Sequence, residues 1–158
     1  MDSIIDSVAA AAARGMAARP KVGGFPYLAE ALRQAGVVKY YFDVPSMTVV
    51  YVTVRGDVLQ PGNLLHSEKI VIPPYDETAL IDAIRTDQRG ESTFPEFVEA
   101  SLQAGVIRYE VDSIARTCTY FGSHGERYVE DYPAVELPAP SPGSLHGLGG
   151  ADQAAVHA

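Results

Sequence analysis

"QAGVVKYYFD", residues 34–43, returns as "QAGVIRYEVD" at residues 103–112. Extended both ways, the match runs ungapped from Phe25 to Asp57 and from Phe94 to Glu126, at a constant offset of 94 − 25 = 69. The identical pairs are Phe25/Phe94, Pro26/Pro95, Glu30/Glu99, Ala31/Ala100, Gln34/Gln103, Ala35/Ala104, Gly36/Gly105, Val37/Val106, Tyr40/Tyr109, Asp43/Asp112, Thr48/Thr117, Tyr51/Tyr120 and Gly56/Gly125. These thirteen identities, in a window of 57 − 24 = 33 positions, exceed what composition supplies. The expectation is a tandem duplication of one supersecondary unit.

Working outward from the match gives the unit its elements. Residues 3–19 are alanine-rich with acids early and arginines late, which predicts a helix ended by Pro20 and Gly23-Gly24. "FPYLAEALRQAG" and "FPEFVEASLQAG" each place apolar residues at helical spacing. Thr93 and Glu96 have the spacing of a capping box, and Gly36 and Gly105 supply the left-handed residue that closes each helix. After each glycine the period becomes two: Val38, Tyr40 and Phe42 alternate with Lys39, Tyr41 and Asp43, as Ile107, Tyr109 and Val111 do with Arg108, Glu110 and Asp112. A second strand follows and ends in a glycine hairpin turn at Gly56 or Gly125. For the third strand the expectation is "EKIVI" from Glu68, matched to "ERYVE" from Glu126, with "VLQPGNLLHS" as a loop inserted in the first copy. Asp76 is expected to cap a further helix to about Arg89.

The fold class expected is α+β: two helix–helix–three-stranded antiparallel meander units, about residues 3–72 and 76–132, related by a pseudo-twofold in one domain spanning 1–136. From Leu137 onward proline, glycine and small residues lack periodicity, so 137–158 is expected to be a disordered tail.

Bulk properties exclude several classes. A chain of 158 residues, 47% hydrophobic and 20% charged, fits one soluble domain. No apolar run approaches the roughly 20 residues of a membrane helix. The N-terminal acids precede the alanine run, the wrong order for a secretory signal, so a cytoplasmic location with no membrane partner is expected. A net charge of −8 works against nucleic-acid binding. Cys118 is the single cysteine and aligns with Val49, which marks it as a buried apolar group. His66, His124, His146 and His157 fit no metal-ligand spacing, and neither metal nor cofactor is expected.

The repeated pattern F-P-x(8)-A-G-V-x-x-Y-x-x-D-x(4)-T-x-x-Y-x(4)-G-[DE] resembles the DUF1398 family of small bacterial and prophage-associated proteins. The likeness covers about residues 5–135 and rests on "FPYLAEALRQAGVVKYYFD", "YDETALIDAIRTDQRGESTFPEFVEASLQAGVIRYEVD" and "TYFGSHGERYVEDYP". It implies a duplicated α+β fold and carries over no catalytic residues.

Candidate site residues come from positions that packing does not explain. Lys39/Arg108 and Asp43/Asp112 lie four apart on the charged strand face. If equivalent strands meet about a pseudo-twofold, Lys39, Tyr41, Asp43, Arg108, Glu110 and Asp112 enter one polar cleft. Asn63 and His66, in the inserted loop, form a second candidate, His66 being a group that titrates near neutrality. The leading functional expectation is a non-enzymatic binding or protein-interaction module with a protein or small-molecule partner, able to form a homodimer through a sheet edge or helix face. The alternative is a small-molecule enzyme or ligand binder using the cleft, with Asp43 or Asp112 as acid/base and Tyr41 or His66 assisting.

Overall fold

Local chemistry sets where each helix begins. In the computed structural model, which describes residues 3–138, the helices are α1 (Ile4–Ala18), α2 (Phe25–Gln34), α3 (Glu77–Gln88) and α4 (Phe94–Gln103). Ser3 and Asp76 accept from the backbone N–H groups of Asp6 and Ala79 and so cap α1 and α3. Thr93 and Glu96 form a complete capping box on α4. Gly24, before α2, has helical dihedrals and no side chain to cap with. Gly36 (φ 97°) and Gly105 (φ 82°) take the left-handed conformation that ends α2 and α4. The expected tail lies, from residue 139 on, outside the described residues.

Six strands follow the helix pairs: β1 (Val37–Asp43), β2 (Thr48–Thr53) and β3 (Gly56–Gln60), then β4 (Val106–Asp112), β5 (Thr117–Gly122) and β6 (Arg127–Asp131). They form one antiparallel sheet in the order β3-β2-β1-β4-β5-β6. The fold is α+β, with four described helices and a six-stranded sheet. Positions 69 apart have matching geometry in several places. Register irregularities fall at Val37/Lys39 and at Val106/Arg108. Met47 and Arg116, in the two β-turns, both have φ 56°. The ring pairs Tyr40–Tyr51 and Tyr109–Tyr120 lie at 5.6 and 5.5 Å, tilted 49° and 47°.

The expected third strand of the first half is corrected. Gly56–Gln60 forms β3 directly after the Val54-Arg55 turn, and "EKIVI" carries neither helix nor strand. The reason is the two-residue turn, which returns the chain at once so that Val58 falls opposite Tyr51 and packs on the core. "VLQ" is therefore strand rather than insertion, and the connecting segment is residues 61–76. It runs past the β1–β2 turn, where Leu65 N–H donates to Pro45 O at 3.0 Å. A Cβ on Gly62 would sit 1.9 Å from Met47 O, so only glycine fits that crossing.

Strand alternation decides what the helices cover. Tyr40, Phe42, Val49, Tyr51, Tyr109, Val111, Cys118 and Tyr120 face the helices and are buried with Leu28, Leu32, Leu80, Phe97 and Leu102. Burying each large apolar side chain is worth about 1.5–3 kcal/mol. At the seam between β1 and β4, Phe42 stacks on Tyr109 at 4.9 Å and meets Phe94 edge-on at 5.6 Å. The opposite sheet face is half-exposed, with Leu59 63% and Val129 43% exposed. No described helix is long and apolar enough to cross a membrane.

Candidate functional site

The six strand residues singled out from the sequence do meet. Lys39 lies opposite Asp112, Tyr41 opposite Glu110, and Asp43 opposite Arg108 across the β1–β4 seam. Because alternate residues share a face, all six lie on the half-exposed side of the sheet, away from the helices. They line an open face rather than a recess. Both aspartates are engaged locally: Asp43 accepts from Ser46 N–H (3.0 Å) and Ser46 Oγ (2.5 Å), and Asp112 accepts from Ile114 and Ala115 N–H, each at 2.9 Å. Arg108 lies over the Phe121 ring at 4.5 Å and 3.6 Å from Glu110, while Lys39 Nζ is 5.9 Å from the Tyr41 ring centroid. In the connecting segment Asn63 is exposed, and His66 Nε2 lies 3.0 Å from a Glu99 carboxylate oxygen on α4.

A recess exists on the other face. A cavity of about 360 Å³ lies between the α1–α2 turn, the C-terminal end of α3, and β5 with the chain leaving β6. Its apolar lining comes from Phe25, Pro26, Ile84, Phe97, Tyr120 and Tyr132, with Cys118 alongside. Its charged and amide groups are Arg19, Asp87, Gln88, Glu130 and Asp131. Two contacts tie the turn to the second half: Gly23 N–H donates to Gln88 O at 3.0 Å, and the Phe25 and Tyr132 rings meet edge-on at 5.2 Å.

Burial controls the protonation of these groups. It pushes the Cys118 thiol up to about 12, overriding the hydrogen bond with Tyr120, and raises the Tyr132 phenol to about 12. Tyr120 is raised well above the usual phenol range by the same cause. At neutral pH the thiol and both phenols are therefore uncharged. Arg19 is lowered by burial, against the pull of Asp87 and Tyr40. Glu130 lies below the ordinary carboxylate range, first because Arg85 donates to both its oxygens (2.6 and 3.0 Å), then through Tyr128. Asp87, 4% exposed, accepts from Ser92 Oγ at 3.4 Å. Among the described residues no group of three or more His, Cys, Asp or Glu side chains is placed to hold a metal ion.

Sequence reading had not singled out Arg19, Asp87 or Glu130. One signal was present: Leu80, Ala83, Ile84 and Asp87 form a single helical stripe, and an aspartate completing an apolar stripe is a buried charge in need of partners. Arg85–Glu130, spanning 45 residues, left no local trace.

Comparison with known proteins identifies a family and names no ligand. The family model described as "Protein of unknown function (DUF1398)" matches residues 16–131. The uncharacterized proteins Rv2012 of Mycobacterium tuberculosis and Mb2035 of Mycobacterium bovis are each 44% identical to this chain over 144 residues, covering 91% of it and 88% of their own length. The family match thus runs from the end of α1 through β6, and the chain belongs to the DUF1398 family.

Proposed function

We propose that this chain is a non-enzymatic binding module, made by tandem duplication, that holds a small molecule in the cavity between its two halves. The cavity is the observation that carries this reading. Its 360 Å³ falls within the range of small-ligand sites, with aromatic walls and a few convergent polar groups. The ligand that fits is compact, with a cyclic or planar apolar body against Phe25, Phe97 and Tyr132 and a polar group toward Arg19 and Asp87. Protonated Cys118, Tyr120 and Tyr132 offer neutral hydrogen-bonding groups rather than an activated nucleophile, which favours retention over turnover.

Duplication is supported by the seam. Counterparts lie 69 apart, and β1 pairs antiparallel with its counterpart β4 with Tyr41 opposite its own counterpart Glu110, an arrangement compatible with a twofold between the two strands. Native mass spectrometry of the purified chain, followed by denaturation, tests the ligand. The wild-type protein should release a small molecule that Val22→Trp lacks, since the exposed Val22 rim lines the mouth. Identical spectra with no adduct in either protein refute the reading.

A second reading concerns the open face. Lys39 and Arg108 on one diagonal and Asp43 and Asp112 on the other form a charge checkerboard. Rotation about an axis in the sheet plane lays each positive corner over a negative one of a second copy. Exposed Leu59 and Val129 supply apolar area beside it. Sedimentation should then show a dimer that Tyr41→Arg dissociates without unfolding; a wild-type monomer at the highest soluble concentration removes this reading.

A further inference from the structure

The same place in the two halves is covered in one and bare in the other. In the second half, the chain before α3 lies across the end of α4. Asp76 N–H donates to Ala104 O at 2.9 Å, and a Cβ on Gly105 would approach Tyr75 Cα to 2.6 Å. Ala104 and Gly105 are buried beneath it. In the first half α1 starts at Ile4, whose counterpart is residue 73, so the residues matching that extended stretch are wound into helix instead. Ala35 and Gly36, the counterparts of Ala104 and Gly105, are left half-exposed beside an open groove of about 510 Å³.

The groove is basic within an acidic protein. Arg14 and Arg55 line it with Ser7 and Gln34, and no carboxylate does. Arg14 Nη1 donates to Gln34 Oε1 at 2.8 Å, while the Gln34 amide nitrogen donates to Glu30 Oε2 at 2.9 Å, which fixes the amide so that its oxygen faces Arg14. Arg14 Nε is buried and has no hydrogen-bond partner among the described residues. A buried cationic donor of this kind is completed by an anionic acceptor.

We propose that this groove binds an extended acidic peptide segment of a partner protein, the intermolecular counterpart of Pro74–Tyr75–Asp76. The backbone lies along Ala35 and Gly36, as the linker does along Ala104 and Gly105, and a carboxylate reaches Arg14 and Arg55. Thr53 stands where Gly122 admits the Tyr75 ring, so the first-half groove takes a small side chain at that point.

The probe is a synthetic peptide of residues 71–77 carrying Tyr75→Ala, titrated into the full isotope-labelled chain and followed by NMR. Saturable shifts are expected at Ala35, Gly36 and Arg55, weakened about tenfold by Arg14→Gln or Arg55→Gln, with spectra elsewhere unchanged. A control peptide with Asp76→Asn and Glu77→Gln should bind weakly. Absence of shifts at those amides overturns the proposal, as does equal binding of the uncharged control. Inorganic phosphate saturating the same amides as tightly as the peptide also overturns it, leaving a simple anion site.

Discussion

The two halves of the sheet share strand lengths and the geometry of the first turn, at Met47 and Arg116, yet they are finished differently. The second half has a complete capping box on α4, an Arg85–Glu130 ion pair and a linker laid over Gly105. The first half has Gly24 before α2, Met16 in place of Arg85, and Gln60 opposite Val49 where Glu130 is opposite Cys118, and Gly36 stands open. Common backbone geometry thus coexists with unequal surface chemistry. The strands and core hold the scaffold, and the unequal covering leaves a groove open beside Ala35 and Gly36 in the first half.

The largest effect is expected at the seam. Phe42→Ala, which removes a ring stacked on Tyr109 and edge-on to Phe94, should cost about 3–5 kcal/mol in urea unfolding. Its counterpart Val111→Ala should cost about 2 kcal/mol, since fewer methyl groups are lost. Next come the two closing glycines. Gly36→Ala pays for the left-handed backbone, about 1–2 kcal/mol, and meets only the Val54 side chain at 3.1 Å. Gly105→Ala pays the same and also drives Cβ into the backbone of Pro74 and Tyr75, adding about 1–3 kcal/mol. Equal costs for the two would show that the linker is not packed there.

Smaller effects sharpen the contrast. Thr93→Ala removes the N-cap of α4 and should cost about 1 kcal/mol. Gly24→Ser brings no matching gain, because its Cβ would lie 2.5 Å from Pro20 O in a helical conformation unsuited to capping. The smallest effect is electrostatic. Glu130 has a depressed folded pKa, so its contribution is present above the ordinary carboxylate value and is lost as pH falls through the folded value. Glu130→Gln should therefore be less stable than wild type at neutral pH, by under about 1 kcal/mol given the exposure of Arg85, and the gap should close in acid. A gap constant with pH would remove the ion pair from the account.

Much of this was legible because it is local. Thr93 with Glu96, Asp76 before α3, and glycines 36 and 105 announce helix ends through backbone chemistry, and alternation identified Lys39, Tyr41 and Asp43 as face-sharing neighbours of β1. The first third strand was misplaced because "EKIVI" has better strand composition than "GDVLQ"; turn length decided between them, and composition does not report it. The cavity was invisible for a different reason. Arg19, Asp87 and the Glu130–Tyr132 segment come from three separate stretches, and only the completed packing brings them to one place.

The β1–β4 seam carries the account, because both the proposed duplication and the recess between the halves depend on it. Backbone NOEs in the isotope-labelled chain test it directly. The register described here requires cross-strand contacts centred on Tyr41 and Glu110 and running outward to Lys39–Asp112 and Asp43–Arg108. Contacts centred on any other pair, or β1 found beside a strand other than β4, would contradict it.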